Sequence, residues 1–84
     1  MPTVLRRGNL RFVIYPNDHE PAHVHVLQGT GRPLELKINL GELDGCPSII
    51  EADEDFPDKD IRRALEVIMD NIKTLRSEWN RIHG

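Results

Sequence analysis

The sequence predicts an α+β domain: a four-stranded, mainly antiparallel sheet with one long C-terminal helix packed on one face. Three observations predict it. Short runs rich in β-branched and aromatic residues, punctuated by Gly, Pro, Asn and Asp, fill residues 1–40. An acidic, irregular connector follows over 41–56. An apolar seam with steps of four and three then occupies 57–82, the spacing of one helix face. At 84 residues the chain holds a single domain with a thin core.

Thr3–Arg7 and Leu10–Tyr15 flank Gly8-Asn9, a pair suited to a tight turn, and read as an opening hairpin. In the second of these strands Leu10, Phe12 and Ile14 share one face because strand side chains alternate, and this is the better core face. Pro16-Asn17-Asp18 must end the strand, since proline removes a ladder donor and Asn or Asp can bond its own backbone. A third strand is expected from about His23 to Gln28. A fourth runs from about Leu34 to Leu40, where Leu34, Leu36, Ile38 and Leu40 alternate with Glu35, Lys37 and Asn39. Within the connector, Ser48-Ile49-Ile50-Glu51 permits a short fifth strand.

Phe56-Pro57-Asp58-Lys59-Asp60 has the chemistry of a helix entry, with proline in the first turn and carboxylates at the positive end of the helix dipole. Along the helix Ile61, Leu65, Ile68, Ile72, Leu75, Trp79 and Ile82 fall on one seam. A helix of about 22 residues spans about 33 Å, whereas a strand of about six covers only about 20 Å. Part of the seam therefore overhangs the sheet if the helix is straight. Two outcomes follow: a homodimer through Ile72, Leu75, Trp79 and Ile82, or a monomer whose helix bends or frays.

The net charge is −3, which argues against a uniformly basic nucleic-acid binder or membrane-surface protein. The charge is unevenly placed, with +2 over residues 1–40, −7 over 41–60 and +2 over 61–84. The acidic run from Glu51 to Asp60 lacks the glycine of a calcium-binding loop. Cys46 is the only cysteine, so no internal disulfide and no zinc ribbon can form, and a reducing cytoplasm is the expected location. The arginines at 6 and 7 follow too short an apolar run for a signal peptide, and no apolar stretch is long enough to span a membrane.

Three of the four histidines fall within Asp18-His19-Glu20-Pro21-Ala22-His23-Val24-His25. On a strand, His23 and His25 point the same way while Val24 and Val26 face the other side. His19 and Glu20 lie on the preceding loop. One reading is structural: solvated histidines, or a buried hydrogen-bonded cluster that fixes the turn from Asn17 to Ala22. A second is metal-independent acid–base chemistry on a phosphodiester, because imidazole titrates near neutral pH. His19, His23 and His25 would then be the catalytic groups, Arg11 and Lys37 would meet phosphate charge, and Asn17, Asp18, Glu20 and Pro21 would support the loop. A divalent metal at His23 and His25 is the weaker alternative on sequence grounds. No cysteine partners the pair, and neither a cupin-like glycine and glutamate pattern nor the third alternating histidine of a histidine-triad hydrolase is present.

The opening Met1-Pro2-Thr3-Val4-Leu5, the segment Asn17-Asp18-His19-Glu20-Pro21-Ala22-His23-Val24-His25-Val26 and the ending Arg63-Ala64-Leu65 through Glu78-Trp79 resemble a family of short bacterial proteins, the domain-of-unknown-function family numbered four-one-six-zero. Asn17, Asp18, His19, Pro21, His23, His25 and Trp79 match its pattern. Ala22 and Val24 depart from it, where proline and phenylalanine are usual, and neither departure removes a polar group. The resemblance implies a gene pairing with a second small protein, like a toxin–antitoxin module. On that basis the expected function is the toxin-like partner of such a pair, acting on RNA through the histidine cluster. The alternative is a non-catalytic interaction or regulatory module that binds its cognate partner protein.

Overall fold

The computed structural model describes residues 3–41 and 45–83. Met1 and Pro2, residues 42–44 of the acidic connector and Gly84 lie outside the described residues. Strands β1 (Thr3–Arg7), β2 (Leu10–Val13), β3 (His23–Gln28), β4 (Leu34–Asn39) and β5 (Ser48–Ala52) precede helices α1 (Asp58–Asp70) and α2 (Ile72–His83). The strands form one sheet in chain order, every neighbouring pair antiparallel. A meander of this kind follows from the short turns between strands, which bring each strand back beside its predecessor. At Gly8 the backbone adopts φ +58°, a left-handed turn conformation that glycine enters without steric cost.

The sheet has five strands rather than four. β5 occupies the stretch of the connector where a short strand was permitted, at the sheet edge beside β4. Its pairing shifts register between Lys37 and Ile38, so that Lys37 faces Glu51 and Ile38 faces Ile49, leaving Ile50 as the extra residue of a bulge.

One face of the sheet carries the core. Leu10, Phe12, Ile14, Val24, Val26, Leu36, Ile38 and Leu40 are fully buried there, joined by Phe56, Ala64, Ile68, Leu75 and Trp79. The alternation expected of β2 and β4 is thus observed, with Glu35, Lys37 and Asn39 on the opposite side from Leu36 and Ile38. The Gln28 side-chain amide donates to Asp60 Oδ2 at 2.7 Å and ties the sheet to the first turn of α1.

The single long helix is two helices. Asn71, with φ −123° and ψ 21°, interrupts the helix between Asp70 and Ile72. Its side-chain Nδ2 donates to the Val67 carbonyl at 2.8 Å, and its backbone N–H reaches the Val67 and Ile68 carbonyls, both at 3.1 Å. A short amide side chain that takes a backbone acceptor in this way competes with regular helical continuation. The bend resolves the length mismatch. α2 lies against the end of the sheet where β4 finishes, with Arg76 donating to the Leu40 carbonyl at 3.0 Å and to the Gly45 carbonyl at 3.1 Å. Leu75 and Trp79 are buried, and Ile72 and Ile82 pack partly buried against the same core, so the seam is used within this chain.

Candidate metal centre

Strand parity builds the first half of the site. Because Val24 and Val26 enter the core, His23 and His25 project from the other face of β3, yet both are buried, at 5% and 8% exposure. The wet strand face open to them in the sequence is covered. The Tyr15 ring meets His25 edge-on with centroids 4.9 Å apart, and the Trp79 indole lies 5.2 Å from the His23 ring.

The loop between β2 and β3 supplies the second half. Pro16 and Asn17 occupy the centre of a β-turn closed by the Asp18 N–H donating to the Tyr15 carbonyl at 3.1 Å. The Tyr15 N–H in turn donates to Asp18 Oδ2 at 3.2 Å. This reciprocal pair fixes the carboxylate of Asp18 over β3. Its Oδ2 lies 3.1 Å from His25 Nε2 and 3.4 Å from His23 Nε2.

The outer nitrogens of both rings are already committed. His23 Nδ1 is 2.8 Å from the Pro21 carbonyl, which can only accept, so Nδ1 carries the proton and a neutral ring presents a lone pair at Nε2. His25 Nδ1 is 2.5 Å from Glu35 Oε2, and the same reasoning gives it the proton facing a carboxylate. His23 Nε2 thus faces Asp18 Oδ2 as an acceptor, while His25 Nε2 lies within hydrogen-bond distance of the same oxygen and donates to it when the ring carries a second proton; the three atoms lie within 4.8 Å of one another. His23 Nε2 is buried and has no hydrogen-bond partner. A buried acceptor aimed at a carboxylate oxygen is costly unless a proton or a metal ion lies between them.

Two of the three separations in the cluster match those around such an ion. Two donor atoms each about 2.1 Å from a tetrahedral ion are about 3.4 Å apart, close to the 3.1 and 3.4 Å separations from Asp18 Oδ2 to the imidazoles. Ring nitrogens held by a backbone carbonyl and a carboxylate are the usual outer support of metal-binding histidines, fixing tautomer and orientation. Two imidazoles and one carboxylate suit zinc, and as a facial set they also suit iron(II). Among the described residues, Asp18, His23 and His25 are the one group of this kind.

Two surface depressions flank the cluster. One, of about 410 Å³, is bordered by Asn17–Pro21, His23, Lys37, Asn39 and Ile50, and the other, of about 350 Å³, by His25, Glu35, Lys37, Glu51, Ala52 and Asp53. Lys37 pairs across the strands with His25, and Asn39 pairs with His23.

The structure divides the candidate residues. It brings His23, His25 and Asp18 together, while His19 is exposed at the rim of the larger depression, as are Asn17 and Glu20. Pro21 takes part through its carbonyl. Arg11 pairs with Leu27 on one side and Arg6 on the other, and it borders neither depression. Sequence reasoning treated Asp18 as loop support and missed Glu35. Glu35 lies two residues from Lys37, the cross-strand partner of His25, which makes Glu35 a diagonal neighbour of that histidine.

An open antiparallel meander backed by a bent helix pair, carrying two strand histidines and a loop aspartate on its far face, defines a small α+β domain with a cluster able to hold a metal. The profile of the domain of unknown function DUF4160 matches residues 9–80, and the chain belongs to that family. No curated protein and no solved structure matches the chain significantly. Among the described residues, no helix is long and apolar enough to cross a membrane.

Proposed function

We propose that the protein binds one divalent first-row transition metal ion through Asp18 Oδ2, His23 Nε2 and His25 Nε2. The observation that carries this reading is the convergence of three potential ligand atoms, with the buried His23 Nε2 lacking any hydrogen-bond partner among the described residues. Three protein ligands leave at least one coordination position for water or substrate, the arrangement of catalytic rather than structural zinc sites. An ion bound there would act as a Lewis acid or lower the pKa of its water.

The metal-free alternative requires His19, His23 and His25 to face one phosphodiester as acid and base. His19 is exposed on the loop, whereas His23 and His25 both direct Nε2 at Asp18, so the geometry favours the metal. Action on RNA and pairing with a small partner protein, in the manner of a toxin–antitoxin module, remain proposals drawn from the family resemblance.

Trp79 is the only tryptophan and its indole stands 5.2 Å from the His23 ring, which provides a reporter of occupancy. Protein purified without a histidine tag is expected to bind one equivalent of zinc, and to show quenching of Trp79 fluorescence by cobalt(II) or nickel(II). His25→Ala and Asp18→Ala should abolish both responses in folded protein. Failure of the folded wild-type chain to bind any of these ions at micromolar concentration would overturn the reading.

A further inference from the structure

We infer that the metal centre takes an oxyanion, one oxygen on the metal and another on the ammonium of Lys37, a proposal that rests on the metal reading above. Four observations carry it. Lys37 stands directly across from His25 and borders both depressions beside the cluster, so its side chain divides the space next to the open metal position.

Second, Lys37 forms no ion pair among the described residues although Glu35, Glu51 and Asp53 border the smaller depression with it. Glu35 is taken by His25 Nδ1, and Glu51 and Asp53 are exposed. An unpaired ammonium beside a dication is unfavourable without an anion to share.

Third, the larger depression becomes less negative when the ion binds. The carboxylates bordering it are Asp18, which becomes a ligand, and Glu20, whose side is exposed. Glu35, Glu51 and Asp53 border the smaller depression instead, so the larger one is the side of the loaded site where an anion meets fewer carboxylates.

Fourth, the bulge in β5 takes Ile50 out of the alternation, and Ile50 borders this depression. Ile50 is 46% exposed, an apolar surface next to a charged site. Bulges that re-aim a side chain recur beside functional sites. With Asn39 offering an amide nearby, the depression fits a phosphoryl or carboxylate group that carries an apolar substituent.

The experiment uses the cobalt(II)-loaded full chain and follows its visible spectrum during titration with inorganic phosphate and, separately, acetate. Both anions are expected to perturb the spectrum if the site accepts oxyanions generally; a response confined to phosphate identifies the phosphoryl group. Lys37→Met keeps the aliphatic stem and should weaken anion binding about tenfold, the size of one charge-assisted hydrogen bond. Lys37→Arg should restore it to within about threefold, because the charge is kept. Cobalt affinity should stay within about twofold in Lys37→Arg, which keeps the charge, and should not fall in Lys37→Met, since Lys37 is not a ligand and its removal relieves repulsion of the dication. No spectral response to either anion, or equal affinity in wild type and Lys37→Met, would overturn the proposal while leaving the metal reading intact. Loss of cobalt binding by the wild-type chain would instead remove the reading beneath it.

Discussion

Glu35 Oε2 accepts a hydrogen bond from His25 Nδ1 at 2.5 Å across two strands that the chain joins through a turn. The carboxylate side chain is 51% exposed while the imidazole is 10% exposed, so the pair links the surface of β4 to the buried cluster. A carboxylate on the outer nitrogen fixes the tautomer and holds the ring in the orientation a metal needs.

Glu35→Ala is therefore expected to lower metal affinity by about 10- to 100-fold with little effect on folding, because the glutamate side chain is half solvated. Competition with a chromogenic chelator measures the affinity, and urea denaturation of the metal-free protein measures the fold. Unchanged affinity would show that His25 is oriented by Tyr15 and Asp18 alone.

How far the fold and site could be read in advance depended on whether each element leaves a pattern. β4 has one buried and one polar face, so Leu36 and Ile38 announce themselves by alternation, and in and just after β2 Leu10, Phe12 and Ile14 recur with the same period although Val13 on the other face is buried too. β5 has all five residues exposed and therefore no buried face to imprint a period. The helix break is equally silent. Asn71 sits between Ile68 and Ile72 without disturbing the apolar spacing, because both halves of the bent helix use the same seam.

The site was half legible for the same reason. Parity alone places His23 and His25 on one face, but the aim of Asp18 comes from a turn closed by Tyr15 backbone atoms, and Glu35 comes from a diagonal between strands. Asp18 stands beside the histidines in sequence, but its spacing does not show where its carboxylate points, and Glu35 lies ten residues from His25. On sequence grounds a metal ranks behind acid–base chemistry because the segment has no cysteine, no cupin-like glycine and glutamate pattern and no third alternating histidine. The third ligand is an aspartate already inside the motif.

Asn71→Ala tests the origin of the bend. The substitution deletes the side-chain bond to the Val67 carbonyl but leaves the burial of Leu75 and Trp79, which requires α2 to turn toward the sheet end. The expected loss is about 1 kcal/mol, the net worth of one hydrogen bond, with the tertiary fold retained. Chemical denaturation reads the first quantity and Trp79 fluorescence the second. If the variant instead loses the native Trp79 signal, the Asn71 bond dictates the bend and packing follows it.

Metal removal gives the most direct readout of the acceptor cluster. Without a cation, the lone pair of His23 Nε2 stands 3.4 Å from Asp18 Oδ2, and His25 Nε2 stands 3.1 Å from the same oxygen. An ion that binds only the folded chain stabilises it by about 2.7 kcal/mol at one hundred times its dissociation constant. In a domain of this size each kcal/mol moves the melting temperature by about 4–8 °C. Zinc at that excess should therefore raise the melting temperature of chelator-treated protein by roughly 11–22 °C. Asp18→Asn should abolish most of the shift, because a neutral amide is a poor ligand for a divalent cation. The same substitution is expected to raise the stability of the metal-free chain, since the amide NH₂ can donate to an imidazole lone pair where the carboxylate could only accept. Opposite signs in the two states would distinguish a metal ligand from a purely structural aspartate, which would destabilise the chain with or without zinc.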